Sequence, residues 1–326
     1  MKVAVIGAGN NARGHAQGLA VMEDVQVVGI ADPVVDKAEA LASDVGGRAY
    51  ADHRVMLDEA KPDAICISSP CWLHAQQAAD CLAAGVHVLC EKPMALSLED
   101  CDTMIAAARQ HGVVLMICQT TRYIAQLVEL QRLFASGRCG ELVSAWSTRM
   151  GYHKGDATWR LDGEQSGGIV FEWEVHEIDF VRSIGGAVSQ VYARTAYSRA
   201  AAPNFLDHFS ALLTFAGGGY GNLEASQSCA IAQGGRGFVG TQGAAQAQGN
   251  SVRLRTTDMD EDEIIEVEGG NSQAQQDGDF IRAIRAGADS PVSGEDARAN
   301  IEIGLAIIES GRTGQVVDLP LESQVS

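Results

Sequence analysis

The chain has 326 residues, of which 46% are hydrophobic and 20% are charged, and this length fits two domains better than one. Its formal net charge is −18, so nucleic acid and anionic membrane surfaces are unfavourable partners. A single nucleotide cofactor remains compatible with this charge, because backbone amides and a helix N-terminus can hold its phosphates.

The cysteine pattern and the apolar runs indicate a cytoplasmic protein. The eight cysteines form no C-x-x-C pair, and several lie in apolar runs such as "AICISS" and "VLMICQ". Free thiols fit a reducing compartment, so we expect neither disulfides nor a metal site. The run "MKVAVIGAG" is too short for a signal segment, and no stretch is long enough to span a membrane.

The first third of the chain alternates short apolar runs with helical patterns. The expected strands are "KVAVIG", "VQVVGIAD", "AICISSP", "HVLCE" and "VVLMICQT". The expected helices between them are "NARGHAQGLA", "VDKAEALASDV", "WLHAQQAADCLAAG" and "LSLEDCDTMIAAARQHG". Buried strands separated by helices predict a doubly wound α/β domain with a parallel sheet, which we assign to residues 1–120.

The remainder, residues 121–326, has a different texture. After the helical stretch "YIAQLVELQRLFASGRCG" come "ELVSAWSTRMGYH" and, from about residue 188 to 267, several strand-like segments with glycine-rich turns. These segments predict an α+β domain with a large, mostly antiparallel, open-faced sheet. Two terminal helices are expected within residues 272–312 and are assigned to this second domain.

A glycine-rich turn joins the first strand to the first helix. Gly7 permits the tight turn, Gly9 lets a pyrophosphate approach the backbone, and Ala12 keeps helix and strand close. The second strand ends at Asp32, whose carboxylate would accept hydrogen bonds from an adenosine ribose and repel a 2′-phosphate. The pattern therefore favours NAD over NADP, although a glycine turn with a surface aspartate remains the alternative.

A lysine follows the strand "HVLCE" directly and precedes a proline. Because the residue before proline is pushed into extended conformations, Pro93 should hold Lys92 extended at the edge of the sheet where ligands bind. Such a lysine could relay the proton of a substrate alcohol or polarise its oxygen. The alternative is a lysine in an ordinary strand-to-helix turn.

The segment "GGIVFEWEVHEIDFVRSIGG" places polar residues on an apolar helix. Wound as one helix, it puts Glu172, His176, Asp179 and Ser183 on a single stripe. Histidine is the natural proton acceptor at neutral pH, and neighbouring carboxylates would orient it. A core histidine satisfied by its neighbours, or a stripe at a subunit interface, is the alternative.

At these residues the sequence resembles the Gfo/Idh/MocA family of NAD(P)-dependent sugar oxidoreductases, over nearly the whole chain. The resemblance rests on the glycine turn with His15 downstream, on "SSPCWLHAQQAADCLAAGVHVLCEKPMALS", on "RYIAQLVELQRLFASGRCGEL", on "WRLDGEQSGG" and on "EVHEID". It implies a Rossmann domain followed by a larger open-faced sheet domain. It also implies homodimers or homotetramers formed through that sheet.

The resemblance implies roles for individual residues. Lys92 matches the family's active-site lysine, His176 its proton-transferring histidine and Asp179 the acid one turn later. Glu172 stands where an aspartate is common, and we include it with them as catalytic. The implied cofactor contacts are Gly7, Gly9, Asn10, Asn11, Asp32, Ser69, Pro70, His74, Glu91, Lys92 and Arg122. The implied substrate contacts are Lys92, His153, Trp159, Arg160, Glu172, His176 and Asp179.

The expected activity is an NAD-dependent transfer of hydride between the nicotinamide and a secondary alcohol of a sugar, an inositol-like polyol or a sugar derivative. An anionic substrate is expected to bind poorly, because Glu172 and Asp179 would repel it. The alternatives are reduction of an unsaturated or imine substrate, redox-neutral chemistry with retained NAD(H), such as glycoside cleavage, and a non-catalytic NAD sensor.

Overall fold

The computed structural model describes residues 1–152, 158–199 and 202–321. The chain divides into two compact units, which are described separately. The first unit contains Met1–Gln119 and Asn271–Ala299, and the second contains Thr120–Gly270 and Asn300–Ser326.

The described strands are, in chain order, β1 (Lys2–Ile6), β2 (Gln26–Ala31), β3 (Arg48–Tyr50), β4 (Ala64–Ile67), β5 (His87–Cys90), β6 (Leu115–Ile117), β7 (Leu142–Tyr152), β8 (Val188–Ala196), β9 (His208–Phe215), β10 (Tyr220–Ser226), β11 (Ser228–Gly240), β12 (Gly243–Gln248), β13 (Ser251–Thr256), β14 (Glu263–Glu266) and β15 (Val317–Asp318).

The described α-helices are α1 (Asn10–Ala20), α2 (Val35–Val45), α3 (His53–Ala60), α4 (His74–Ala83), α5 (Leu98–His111), α6 (Ala125–Ala135), α7 (Gly163–Ser166), α8 (Gly168–Glu172), α9 (Val175–Gly185), α10 (Ser272–Ala286) and α11 (Gly294–Thr313). None of the helices in the described part of the chain combines the length and apolar character needed to cross a lipid bilayer.

The first unit is built on a six-stranded sheet in the order β3-β2-β1-β4-β5-β6, and all its strand pairs are parallel. Strand β4 is buried along its whole length, as is expected of a parallel strand covered on both faces. The strand order reverses between β1 and β4, which is where ligands bind in open α/β sheets. The predicted doubly wound fold is therefore confirmed.

Two elements of the first unit have no counterpart in the sequence prediction, namely β3 and α3. Strand β3 is only three residues long, "RAY", and a run this short carries no hydrophobic period. Helix α3 begins after Asp52, whose side chain accepts a hydrogen bond from the Arg54 amide. Its single buried residue, Met56, gives it no apolar stripe.

Residues 271–299 were expected in the second domain, but the structure places them in the first unit. Helix α10 packs against α1 and contacts β5. Phe280 and Ile281 of α10 are buried. A helix that returns to the first unit after about 150 intervening residues leaves no local signal in the sequence. The assignment to the second domain therefore followed from chain order alone.

The second unit contains a nine-stranded sheet in the order β14-β13-β12-β11-β7-β10-β9-β8-β15. Strands β7 and β10 pair in parallel, and the other neighbours are antiparallel. Along β9 buried and exposed residues alternate, with Leu212 and Thr214 on the exposed side. This alternation is typical of an antiparallel sheet with one packed and one open face, and it confirms the predicted α+β class.

The segment expected to form one helix around His176 is instead two helices, α8 and α9. The carbonyl of Trp173 accepts a hydrogen bond from Nη1 of Arg149, at 3.0 Å. The amide of Glu177, which would bond that carbonyl in a continuous helix, bonds the carbonyl of Glu174 at 2.9 Å. The arginine therefore interrupts the helical ladder, and Glu172 lies on a different helix from His176 and Asp179.

Candidate functional site

The parallel strands of the first unit end in register. Ile6 pairs with Ala31 and Ile67, Ile67 pairs with Cys90, and Cys90 pairs with Ile117. The residues that follow these strand ends are Gly7, Asp32, Ser68, Glu91 and Cys118. Four amides at this edge bond a neighbouring strand end at 2.7–2.8 Å, those of Gly7, Ser68, Glu91 and Cys118. One edge of the sheet thus carries three of the residues predicted for the cofactor, namely Gly7, Asp32 and Glu91.

The glycine turn has the geometry that a dinucleotide requires. Gly7 has a φ of +100°, and a Cβ there would lie 2.5 Å from the carbonyl oxygen of Ser68, so only glycine fits. A Cβ on Gly9 would meet no atom within 4 Å, so the space over this residue is open. Gly9 caps α1 without a side-chain hydrogen bond, and Asn10 and Asn11 in the first turn are exposed. The open backbone and uncapped helix start fit a pyrophosphate.

Asp32 is tied to the glycine turn. One carboxylate oxygen accepts the amide of Ala8 at 2.9 Å, and the other accepts the amide of Val34 at 2.8 Å. The side chain is half-buried at the carboxyl end of β2. Because each carboxylate oxygen can accept more than one hydrogen bond, this fixed carboxylate can still receive ribose hydroxyls.

His74 connects two of the predicted cofactor loops. Nδ1 lies 2.8 Å from the carbonyl oxygen of Pro93, and Nε2 lies 3.0 Å from that of Ser69. Burial lowers the pKa of His74 more strongly than these carbonyls raise it. The ring is buried, so its role in this unit is to join the Ser69–Pro70 loop to the loop after β5.

Lys92 follows Glu91 at the end of β5. The Lys92–Pro93 peptide is cis, and the Lys92 side chain is half-buried. The Lys92 amide donates to Oε2 of Glu91 at 3.1 Å. Glu91 is buried, and its Oε1 lies 3.1 Å from Nε2 of His15. The Glu91 carboxylate therefore contacts both the backbone of Lys92 and an imidazole on α1.

Among the described residues, one set of acidic, histidine and cysteine side chains has the spacing of a metal site. Ligand atoms of His15, Glu91 and Cys118 all lie within 4.8 Å of one another. Burial raises the pKa of the Cys118 thiol well above its ordinary value, so the thiolate that a metal prefers is disfavoured. The 3.1 Å contact between His15 and Glu91 is also a normal hydrogen bond. We therefore interpret this set as hydrogen-bonded side chains.

Asp179 of the second unit is fully buried and paired with an arginine. Nε and Nη2 of Arg122 donate to its two oxygens at 2.8 Å and 2.7 Å, and Nδ2 of Asn300 adds a third bond at 2.9 Å. Arg122, which was predicted to contact the cofactor, is paired with this predicted catalytic acid. The two-pronged arginine contact fixes both carboxylate oxygens.

Glu172 is also compensated by an arginine. Nη1 of Arg160 donates to its Oε1, and Nε2 of Gln227 reaches its Oε2 at 3.4 Å. The Arg160 guanidinium lies over the ring of Trp159, 4.7 Å from its centroid. Glu172 is buried, whereas 44% of the Arg160 side chain is exposed. The structure thus joins three predicted substrate residues, Trp159, Arg160 and Glu172.

These ion pairs bear on the expectation that anionic substrates bind poorly. That expectation required Glu172 and Asp179 to be negative charges without a nearby cation. Each of them instead lies against a guanidinium, from Arg160 and Arg122 respectively. Opposite charges in contact largely cancel at a distance, so repulsion of an anionic sugar is no longer expected.

His176 lies half-buried in the first turn of α9, one residue before a buried ion pair. Arg236 of β11 donates to both oxygens of Glu177 at 2.6 Å and 2.5 Å, and the Ser147 hydroxyl donates to Oε2 at 2.7 Å. Burial would raise the pKa of Glu177, but these donors outweigh it and lower the pKa. The start of α9 is therefore anchored to β7 and β11, which fixes the backbone of His176.

Some residues at these positions escaped the sequence analysis, and one predicted residue cannot be placed. Asn300 and Gln227 bond Asp179 and Glu172, but each lies far from its partner in the sequence, so no spacing rule could find it. Asp277 of α10, whose Oδ1 lies 2.7 Å from Nδ1 of His15, stands in the polar run "QQDGD" and gave no signal in the sequence. His153 lies outside the described residues.

Comparison with known proteins matches both parts of the chain to one family. Residues 1–119 match the GFO_IDH_MocA model, described as an oxidoreductase family with an NAD-binding Rossmann fold. Residues 127–246 match the GFO/IDH/MocA C-terminal domain. The two matches cover the sheet edge of the first unit and most of the sheet of the second.

Individual relatives have been assigned different reactions. The chain is 26% identical to 1,5-anhydro-D-fructose reductase of Ensifer adhaerens, over 97% of each chain. It is 25% identical to 2,7-anhydro-N-acetylneuraminate hydratase of Mediterraneibacter gnavus, over 59% of this chain and about half, 51%, of the hydratase. The crystal structure of GenD2 from gentamicin A biosynthesis in complex with NAD is 26% identical, with a TM-score of 0.88 over 98% of this chain and 97% of GenD2.

Proposed function

Because the chain belongs to the Gfo/Idh/MocA oxidoreductase family, we propose that it is an NAD-dependent oxidoreductase acting on a secondary alcohol of a sugar, a polyol or a sugar derivative. The observation that carries this proposal is the edge of the first sheet, where Gly7, Asp32 and Lys92 follow strands that end in register. When bound, NAD supplies the hydride acceptor.

The cofactor assignment rests on Asp32 and the glycine turn. The open backbone at Gly9 and the uncapped start of α1 would hold the pyrophosphate. The Asp32 carboxylate would accept the ribose hydroxyls and repel an added 2′-phosphate, so we propose NAD rather than NADP. The relative GenD2, whose structure is in complex with NAD, supports this choice.

The reacting groups are proposed to be Lys92 and His176. His176 would take the proton of the substrate hydroxyl, and Lys92 would hold and polarise the hydroxyl oxygen. The buried pair that follows His176, Glu177 with Arg236, would keep the imidazole in place. Each of these groups is held by its own unit before any substrate binds.

The two other predicted catalytic acids receive narrower roles. Glu172 would act on substrate hydroxyls together with Arg160, whose side chain is partly exposed. Asp179 has no exposed surface, and its oxygens already receive three donors. We propose that it fixes α9 rather than contacting the substrate directly.

The direct experiment measures NADH formation from NAD across inositols, aldoses, glycosides and sugar acids, with NADP in parallel. Turnover of one substrate group with NAD preferred would support the proposal. The Lys92→Ala and His176→Ala variants should then lose turnover far more than NAD affinity, whereas exposed Lys37→Ala and His111→Ala should lose neither. Equal losses of turnover and NAD affinity would contradict the catalytic roles.

A second candidate function is redox-neutral chemistry with retained NAD(H). The similarity to 2,7-anhydro-N-acetylneuraminate hydratase favours this candidate, because the addition of water that the word hydratase names involves no net oxidation or reduction. Such an enzyme would convert substrate without accumulating NADH and would keep NAD(H) through purification. Product analysis by NMR in the absence of added cofactor therefore separates this function from a dehydrogenase.

A further inference from the structure

A buried cluster in the first unit contains two acids, one histidine and two thiols. His15 of α1 is fully buried, and its Nδ1 lies 2.7 Å from Oδ1 of Asp277 on α10. Its Nε2 lies 3.1 Å from Oε1 of Glu91 and 3.9 Å from Sγ of Cys118. The Cys66 thiol of β4 also faces the ring and is fully buried.

The hydrogen bonds of this cluster indicate the charge of the imidazole. Both ring nitrogens of His15 face a carboxylate oxygen, from Asp277 and from Glu91. A neutral imidazole carries one N–H, whereas an imidazolium carries two and donates to both acids. Burial lowers the pKa of His15, but the surrounding groups outweigh it and raise the pKa well above its ordinary value. The two carboxylate contacts therefore favour the imidazolium.

Asp277 is the second carboxylate of the cluster. Its Oδ2 is buried and has no hydrogen-bond partner in the described structure. Burial raises the pKa of Asp277, although the bond to His15 opposes this rise. A buried carboxylate with one unsatisfied oxygen is costly unless a cation lies against it. An imidazolium at His15 would supply that cation.

The cluster ends at the proposed catalytic lysine. Oε1 of Glu91 faces His15, and Oε2 accepts the backbone amide of Lys92 at 3.1 Å. The Glu91 carboxylate therefore has one oxygen on the imidazole and the other on the peptide that carries Lys92. A change in the charge of His15 would alter what holds this carboxylate, and with it the backbone at Lys92.

We propose that His15 is a positioning residue, whose imidazolium fixes Glu91 and through it the backbone of Lys92. The inference rests on the proposed function in one respect, namely that Lys92 takes part in catalysis. The titratable groups that face His15 are Asp277 from α10, Glu91 after β5, Cys118 after β6 and Cys66 from β4. Loss of one proton from His15 would leave a single N–H facing the two carboxylates, so either Glu91 or Asp277 would lose its donor from the ring.

The first test needs neither substrate nor a variant. The ring ¹⁵N and ¹³C resonances of His15 should show an imidazolium at pH 7, and the amide resonance of Lys92 should titrate with that ring as pH rises. A neutral His15 ring at pH 7, or a Lys92 amide that ignores its titration, would overturn the proposal. Because no turnover is measured, failure to find a substrate would count against the proposed function alone.

The second test uses His15→Gln, which keeps one amide donor but cannot carry a charge. We expect kcat to fall about 10- to 100-fold, because Lys92 is displaced, while the Kd for NAD changes little. In a plot of kcat against pH, the wild-type value should fall at alkaline pH as His15 loses its proton. The variant should lack this alkaline limb of the profile. Asp277→Asn should move the limb to lower pH, because it removes the charge that favours the imidazolium.

The matched control is His53→Gln. His53 pairs with Asp80 at 2.9 Å in the same unit and is not connected to Glu91 by any described hydrogen bond. The control should leave kcat and its pH profile unchanged. An equal loss in both variants would overturn the positioning role. The zinc content of the purified proteins is a further check. One zinc per wild-type chain that is lost in His15→Gln would also overturn the positioning role, because a bound metal requires an unprotonated ring nitrogen of His15.

Discussion

In the first unit the predicted cofactor contacts are an open glycine backbone and a carboxylate at a strand end, whereas in the second unit each predicted acid is paired with an arginine. Asp32 accepts the amides of Ala8 and Val34, which lie 24 and 2 residues from it in the chain. Asp179 and Glu172 are paired with Arg122 and Arg160, and Asp179 also bonds Asn300, which is 121 residues away. The predicted cofactor contacts of the first unit therefore rest on local backbone shape, whereas the predicted acids of the second unit are held by compensating charges.

The same contrast appears in what each unit leaves exposed. Gly9, Asn10 and Asn11 are exposed at the start of α1, so the predicted phosphate contacts are accessible. The carboxylates of Asp179 and Glu172 are buried, and the Arg160 side chain is more exposed than the Glu172 side chain that it contacts. An acid that stands out in the sequence can therefore be buried while its arginine partner is the accessible group.

The largest effect is expected from Asp179→Asn. The change would leave the Arg122 guanidinium, with 21% of its side chain exposed, against a neutral amide. Removing one partner of a buried ion pair costs about 3–5 kcal/mol of unfolding free energy, which urea denaturation would measure. The control is Glu309→Gln, whose partner Arg312 is 70% exposed and whose loss should cost much less, because exposed ion pairs contribute little to stability. Equal losses of unfolding free energy in the two variants would show that burial does not increase the contribution of the pair.

Two alanine substitutions in the glycine turn sharpen the contrast with the first unit. Gly7→Ala should lower both stability and NAD affinity, because a positive φ and a clash with the Ser68 backbone cost about 1–3 kcal/mol. Gly9→Ala should keep the stability, since its φ is −79° and the space around its Cβ is open. It should still weaken NAD binding at least about tenfold, because the methyl group would occupy the path of the pyrophosphate. Calorimetric titration with NAD and thermal unfolding measure the two properties separately, and unchanged NAD affinity in Gly9→Ala would contradict the assigned contact.

Most of the first unit could be predicted because its signals are local. Buried parallel strands give continuous apolar runs, and Gly7, Gly9 and Asp32 follow strands at positions that a nucleotide site requires. Strand β3 was missed because three residues carry no period. Helix α10 was assigned to the other unit because packing across a long chain separation has no local signature.

The second unit was predicted in class but not in detail. The alternation along β9 was sufficient for an open antiparallel sheet. The split between α8 and α9 was not predictable, because it depends on Arg149 binding the carbonyl of Trp173 from another element. For the same reason Glu172 left the expected polar stripe, whereas His176, Asp179 and Ser183 remain together on α9. Helical spacing also cannot show that arginines lie against Glu172 and Asp179.

A smaller effect is expected on cofactor preference. Asp32→Ser should shift the ratio of NAD to NADP affinity toward NADP by about tenfold, because it removes the charge that would repel a 2′-phosphate. The shift is modest, since no arginine is added to bind that phosphate. The control is Asp36→Asn, which removes an exposed charge from the first turn of α2. A similar shift in the control would mean that general surface charge, and not the strand-end carboxylate, sets the preference.

The smallest effect concerns acid stability and the second unit's buried pair, Glu177 with Arg236. Burial would raise the pKa of Glu177, but Arg236, Ser147 and Arg149 outweigh it and lower the pKa below its ordinary value of 4.5. A depressed folded-state pKa stabilises the fold above the unfolded value, and this stabilisation is lost as pH falls through the folded value. Below about pH 4.5 the unfolding free energy of the wild type should therefore fall more steeply than that of Glu177→Gln. The difference in slope should stay under about 1.4 kcal/mol per pH unit, the limit for one proton, and urea unfolding between pH 3 and 7 would measure it. Parallel curves would mean that Glu177 is not the group whose protonation loosens the start of α9, and the anchoring of His176 would then have to come from packing alone.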